Sequence, residues 1–78
     1  MTLYEGEISE QYQVKEVLAE ESITRRLEAL GLNFGTTITI LNKKKNGAMI
    51  IKVRGTRLAL GKQITENIEV KTRNGENI

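Results

Sequence analysis

The sequence predicts a mainly β fold: a small antiparallel barrel of five short strands, with one α-helix at about residues 23–30 and a single helical turn at about 62–67. Three observations carry this. Apolar and polar residues alternate over several short stretches, the period of a strand with one buried face. Segments rich in glycine and asparagine separate those stretches, as turns require. Only one run has helical period, and nothing is long enough to cross between parallel strands, so sequential strands pair antiparallel.

In chain order, Tyr12-Gln13-Val14-Lys15-Glu16-Val17-Leu18 begins with alternation and is rich in β-branched residues, giving a first strand with a shift near its end. Glu20-Glu21-Ser22 changes the rhythm, with Ser22 suited to the helix N-cap and the two glutamates beside the positive end of the dipole. Ile23, Leu27 and Leu30 follow at i, i+4 and i+7, one face of a short helix. Gly31 supplies a left-handed residue after its end, and Leu32 the apolar contact of a Schellman-type stop. Asn33-Phe34-Gly35 reads as a type II turn with Gly35 at positive φ.

Thr36 to Leu41 alternates strictly and forms the second strand; Lys43-Lys44-Lys45-Asn46-Gly47 carries the Asn-Gly pair favoured by mirror-image hairpin turns, and Ala48 to Val53 returns as the third. Ile38, Ile40, Met49, Ile51 and Val53 form the inward set, with Ile50 on the opposite face. Arg54-Gly55-Thr56 is a further turn, and Arg57-Leu58-Ala59-Leu60 a short fourth strand ended by Gly61. Lys62 to Asn67 forms a helical turn with Ile64 inward, and Ile68-Glu69-Val70 closes the sheet. The domain is thus expected over residues 1–71, with 72–78 a polar tail that frays. Five strands curled into an SH3-like barrel suit the length.

Composition narrows the function. A chain of 78 residues and 8.8 kDa is one domain, and without a disulfide it must rely on a single compact core or a partner. There is no His, Cys, Asp, Pro or Trp. An imidazole or thiolate metal site, a nucleophile with a histidine base and a disulfide framework are therefore all excluded, and the expectation is a protein that is not an enzyme and has no cofactor. The longest apolar run, Ala48-Met49-Ile50-Ile51, is far short of the roughly 20 residues that span a bilayer. No membrane insertion is expected, and acids rather than bases at the N-terminus give no secretory signal, so the expected location is the cytoplasm. Charge is uneven: seven acids face three bases through Glu28, and three acids face nine bases from Ala29 onward. Such asymmetry favours oriented association, although charged faces are usually only solvated.

Several segments together resemble one family. Arg25-Arg26-Leu27-Glu28-Ala29-Leu30-Gly31-Leu32 is similar to the RRL-x-x-LGL signature of the FeoA family, the small cytosolic companions of the bacterial ferrous iron transporter. Asn33-Phe34-Gly35-Thr36 stands where that family usually has x-Pro-Gly-Thr, and Ile50 to Gly61 resembles its VRG-x-x-x-ALG segment. Ile64 through Val70 resembles the closing A-x-x-I-x-V run, so the likeness spans roughly Leu3 to Val70. Two departures are Phe34 for the usual proline, where the ring could pack as a staple under the turn, and Thr65 where alanine is common. The resemblance implies an SH3-like barrel and a part in iron uptake. The partner it implies is the cytosolic GTPase domain of the ferrous iron transporter. The same fold recurs as the C-terminal domain of metal-responsive repressors, but no DNA-binding helix pair is read in these 78 residues, so a repressor is not expected.

Candidate partner-binding residues follow from both readings. Arg25 and Arg26 lie on the helix face away from Ile23 and Leu27; their ordinary role is pairing with Glu21 or Glu28, their functional one meeting acidic groups on a partner. Arg54 and Arg57 flank a fixed turn and could grip carboxylates or phosphates bidentately. Leu30, Leu32, Leu58 and Leu60 fill the core or leave exposed edges along an apolar groove between helix and barrel. Self-association is compatible with the same surfaces. Lys43, Lys44 and Lys45 suggest nucleic acid, yet only Tyr4, Tyr12 and Phe34 could stack on bases, which disfavours an RNA-binding barrel. A transition-metal sensor is the other alternative. Glu5, Glu7 and Glu10 cluster in sequence, but a ligand set of Glu, Asn and backbone oxygens is too hard for a selective Fe(II) site, so no metal residues are assigned.

Overall fold

Each alternating stretch forms a strand within two residues of its expected position. The computed structural model describes residues 1–72, with strands β1 (Gln11–Val17), β2 (Thr37–Lys43), β3 (Met49–Val53), β4 (Thr56–Leu60) and β5 (Ile68–Thr72). They form one sheet in the order β4-β3-β2-β1-β5, every pair antiparallel. Two bulges bend it. Lys15 is an extra residue in β1 between the Val14–Val70 and Glu16–Glu69 pairs, and Leu41 an extra one in β2 between Ile40–Ile51 and Asn42–Ile50. Bulges raise local twist, so the ribbon curls upon itself around its apolar face. The barrel stays open between β4 and β5, where the helical turn α2 (Lys62–Thr65) connects the two edges.

The expected inward residues Ile38, Ile40, Met49, Ile51 and Val53 are all buried, together with Val14, Ile68 and Val70. Leu3 joins them from a 3₁₀ turn at Leu3–Glu5 that the sequence pattern did not announce. Gly6 follows in a space with no room for a side chain: a Cβ there would lie 2.5 Å from Ile40 Cδ1 and 2.8 Å from Tyr12 Cε2. The N-terminal segment then runs along β5, bridging Thr2 to Glu69, and the Val70 amide donates to the Met1 carbonyl at 2.9 Å.

The helix α1 (Glu21–Ala29) begins two residues earlier than expected. Its N-cap is Glu20 rather than Ser22, because the chain leaves extended backbone at Glu20, whose carbonyl accepts the Thr24 amide at 2.8 Å. Its stop is the expected one: Gly31 has φ +103°, its amide donates to the Glu28 carbonyl at 2.9 Å, and the Leu32 amide reaches Leu27 at 2.9 Å, the paired bonds of a Schellman motif. Gly35 has the expected positive φ, +84°, in the turn closed by the Thr36 amide on the Asn33 carbonyl. Phe34 does not pack beneath that turn: it is 80% exposed, because a central turn residue projects its side chain outward.

The two hairpin turns differ from the sequence pattern in which one is mirror-image. At Lys44 to Gly47 only Gly47 has positive φ, and Asn46 instead accepts the Ala48 amide with its side-chain oxygen at 3.0 Å. Positive φ at both central positions occurs at Arg54 (+52°) and Gly55 (+81°), where Val53 pairs with Thr56. Strand β5 takes in Lys71 and Thr72, and the rest of the expected tail lies outside the described residues.

Candidate functional site

The end of α1 and the β3–β4 turn meet at one corner of the barrel. Gly31 ends the helix without a side chain, and Arg54 fills the space above it: a Cβ on Gly31 would lie 3.1 Å from Arg54 Cδ and 3.2 Å from Val53 Cγ1. The stem of Arg54 therefore lies across the last turn of α1. This sets a cation against the negative end of the helix dipole, a favourable placement. Leu30, the C-cap residue, is 48% exposed because the helix ends before its periodicity would bury it, and Phe34 follows one turn later. Leu30, one turn beyond Arg26, and Phe34, in the turn that follows the helix, are thus both exposed, as are Arg26 and Arg54. Aromatic and arginine side chains are the types that dominate binding energy at protein interfaces.

The predicted residues divide into those at this corner and those elsewhere. Arg25 takes its ordinary role, donating to Glu21 one turn back along the helix. Among the described residues Arg26, Arg54 and Arg57 make no ion pair. Leu32 and Leu60 are corrected: they are 0% and 5% exposed, Leu32 as the apolar partner of the helix stop and Leu60 opposite Met49, so neither offers a docking edge. Leu58 is half-buried opposite Ile51, and Arg57 lies on the outer face of the sheet opposite Lys52.

A separate apolar groove is present among the described residues. It lies between the β1–α1 linker and α2, lined by Leu18, Ala19, Ile23 and Ile64 with Glu20, Gln63 and Asn67, and has a volume of about 440 Å³. The Leu18 amide donates to the Asn67 carbonyl at 2.6 Å and ties its two walls together. The sequence reading missed Leu18 and Phe34 as surface residues. The signal for Phe34 was present: an aromatic at the centre of a tight turn has nowhere to go but outward. Glu5, Glu7 and Glu10 are exposed, and among the described residues no group of three or more His, Cys, Asp or Glu could hold a metal ion. The donor set therefore does not fit a resident transition metal.

A five-stranded antiparallel barrel of this size, bent by two bulges and flanked by one short helix, is an SH3-like domain. The FeoA domain family matches residues 1–72, and the chain belongs to that family. The solution structure of FeoA from Chlorobium tepidum is similar over 97% of this chain and 73% of that one, at 28% identity and a TM-score of 0.90. Zinc-complexed FeoA from Stenotrophomonas maltophilia, described as a prokaryotic SH3 domain protein, is similar over 91% of this chain and 89% of that one, at 29% identity and a TM-score of 0.79. A manganese-dependent transcriptional repressor shares the fold alone, at 15% identity and a TM-score of 0.84 over 92% of this chain and 41% of its own. No curated protein matches the sequence. FeoA proteins are small accessory proteins associated with ferrous iron transport. No helix among the described residues is long and apolar enough to cross a membrane.

Proposed function

We propose that the chain is a non-enzymatic accessory domain of ferrous iron uptake that works in the cytoplasm by docking on the GTPase-bearing part of the ferrous iron transporter. The observation that carries this reading is the α1 corner. Leu30 and Phe34 supply apolar area that the fold leaves uncovered, and Arg54, seated over Gly31 in a fixed backbone conformation, supplies a pre-positioned fork for a carboxylate. Arg26 extends the same charge along the helix. Arg25 contributes less because Glu21 already engages it, and Arg57 lies outside this contact. Direct metal sensing is the weaker reading, since the zinc held by the Stenotrophomonas maltophilia protein would find only glutamate carboxylates here.

The test is an amide proton–nitrogen spectrum titrated with the transporter's GTPase-bearing domain. Shifts centred on Leu30, Gly31, Phe34, Arg54 and Gly55 are expected, and Leu32 and Leu60 should follow only as buried neighbours. An unchanged spectrum at high partner concentration, or shifts confined to Leu18, Ile23 and Ile64, would move the contact away from this corner.

A further inference from the structure

We infer that the open edge of β4 accepts an extended, acidic segment of another protein as a sixth strand. The inference holds whichever protein supplies the segment and stands or falls separately from docking at the α1 corner.

The two edges of the sheet are treated differently. On β5 the N-terminal segment takes up the outward backbone, through the Thr2–Glu69 bridge and the Val70 amide on Met1. On β4 no described residue does the same. The two-residue turn at Arg54-Gly55 makes Val53 and Thr56 a hydrogen-bonded pair, so pairing alternates from there. Thr56, Leu58 and Leu60 direct their backbone groups toward β3. Arg57 and Ala59 direct theirs outward, and both residues are exposed. An edge with its donors and acceptors in line is a template for strand addition.

Charge selects the occupant. From Lys43 through Thr65 the chain has seven bases and not one acid. Lys52 and Arg57 stand directly opposite each other across β3 and β4, a like-charge pair that sheets disfavour, and among the described residues no carboxylate bridges either. A strand added beside β4 sets every second side chain next to Arg57 on the outer face. Acidic residues there offset the repulsion, whereas basic ones add to it. A second copy pairing β4 with β4 would bring the two basic ribbons together, so the segment belongs to a different protein. Ala59, small and opposite the half-buried Ile50, leaves room for the neighbouring side chain of the added strand.

The test uses the whole chain and a capped seven-residue peptide of alternating glutamate and threonine. Controls are the same peptide with lysine for glutamate, and one N-methylated on its two adjacent residues 4 and 5, which keeps the charge but removes the backbone donor in either register. Saturating acidic peptide is expected to slow hydrogen exchange at the Arg57 and Ala59 amides by about tenfold or more, with no such protection from either control. Ala59→Pro removes only an outward donor, a change edge strands tolerate. It should weaken binding by about tenfold while Ile38, Ile40 and Ile51 keep their protection. Equal binding of the N-methylated peptide, or side-chain shifts at Arg57 without amide protection, would reduce the edge to a merely charged surface and overturn the inference. Protection that rises with protein concentration alone would assign the edge to a second copy, with the same result. If Ala59→Pro fails to fold, the N-methylated peptide decides alone.

Discussion

Arg54 holds its backbone at φ +52°, a conformation that costs a residue with a Cβ about 1–2 kcal/mol. The cost is offset because that backbone aims the side chain across Gly31 and onto the end of α1. The two glycines beside it can be told apart by mutation. Gly55, at φ +81°, has open space where a Cβ would go, so Gly55→Ala should lose only the conformational cost of about 1–2 kcal/mol. Gly31→Ala must also push aside Arg54 and Val53, and should cost at least about 1 kcal/mol more, read from denaturant midpoints at equal slope. Phe34→Ser, at a position 80% exposed, should leave stability within about 0.5 kcal/mol while weakening transporter binding by calorimetry; unchanged affinity would remove Phe34 from the contact. At this scale the sequence was least legible. Leu30, Leu32, Leu58 and Leu60 are the same residue type in similar surroundings, and their fates diverge because helix stop and strand register, not hydrophobicity, decide which face each takes.

Elements were legible wherever one strong local rule governed them. Alternation gave the strands, and glycine after Leu30 gave the helix stop down to its two hydrogen bonds. The helix start escaped because Ser22, an excellent cap by type, is already the second residue of a helix whose entry is fixed by where β1 releases the chain. The hairpins escaped similarly: Asn46-Gly47 is the better mirror-image pair by composition, but the bulge at Leu41 changes the register entering that turn and leaves the tight geometry to Arg54-Gly55. One element carries an internal cost. Lys52 opposite Arg57 burdens the β3–β4 ladder, so Arg57→Thr should stabilise the chain by about 0.2–1 kcal/mol at low ionic strength. The gain should shrink as salt is raised, since screening already relieves exposed like charges. A loss of stability at both salt concentrations would mean that the arginine stem covers apolar surface more than its charge repels.

For the whole molecule the fold class was readable because five short alternating stretches with no crossing helix admit few arrangements, and the same economy makes the domain sensitive. Among the described residues thirteen apolar ones form a single buried cluster, and Leu3 belongs to it from outside the sheet. Leu3→Ala should therefore cost about 2–5 kcal/mol, a large share of what a small domain has, and thermal unfolding would show it directly. That dependence on the first turn was not legible, since nothing in Met1 to Gly6 has the period of a buried element.

The N-terminal segment has one more effect. A chain of subunits joined edge to edge needs each copy to offer one strand edge and receive on another. Here the Met1–Thr2 backbone is already bonded along β5 at Glu69 and Val70, so among the described residues the open β4 edge of one copy would meet a stretch of β5 that is already taken on the next. The segment thereby works against head-to-tail repetition, the arrangement from which fibres grow.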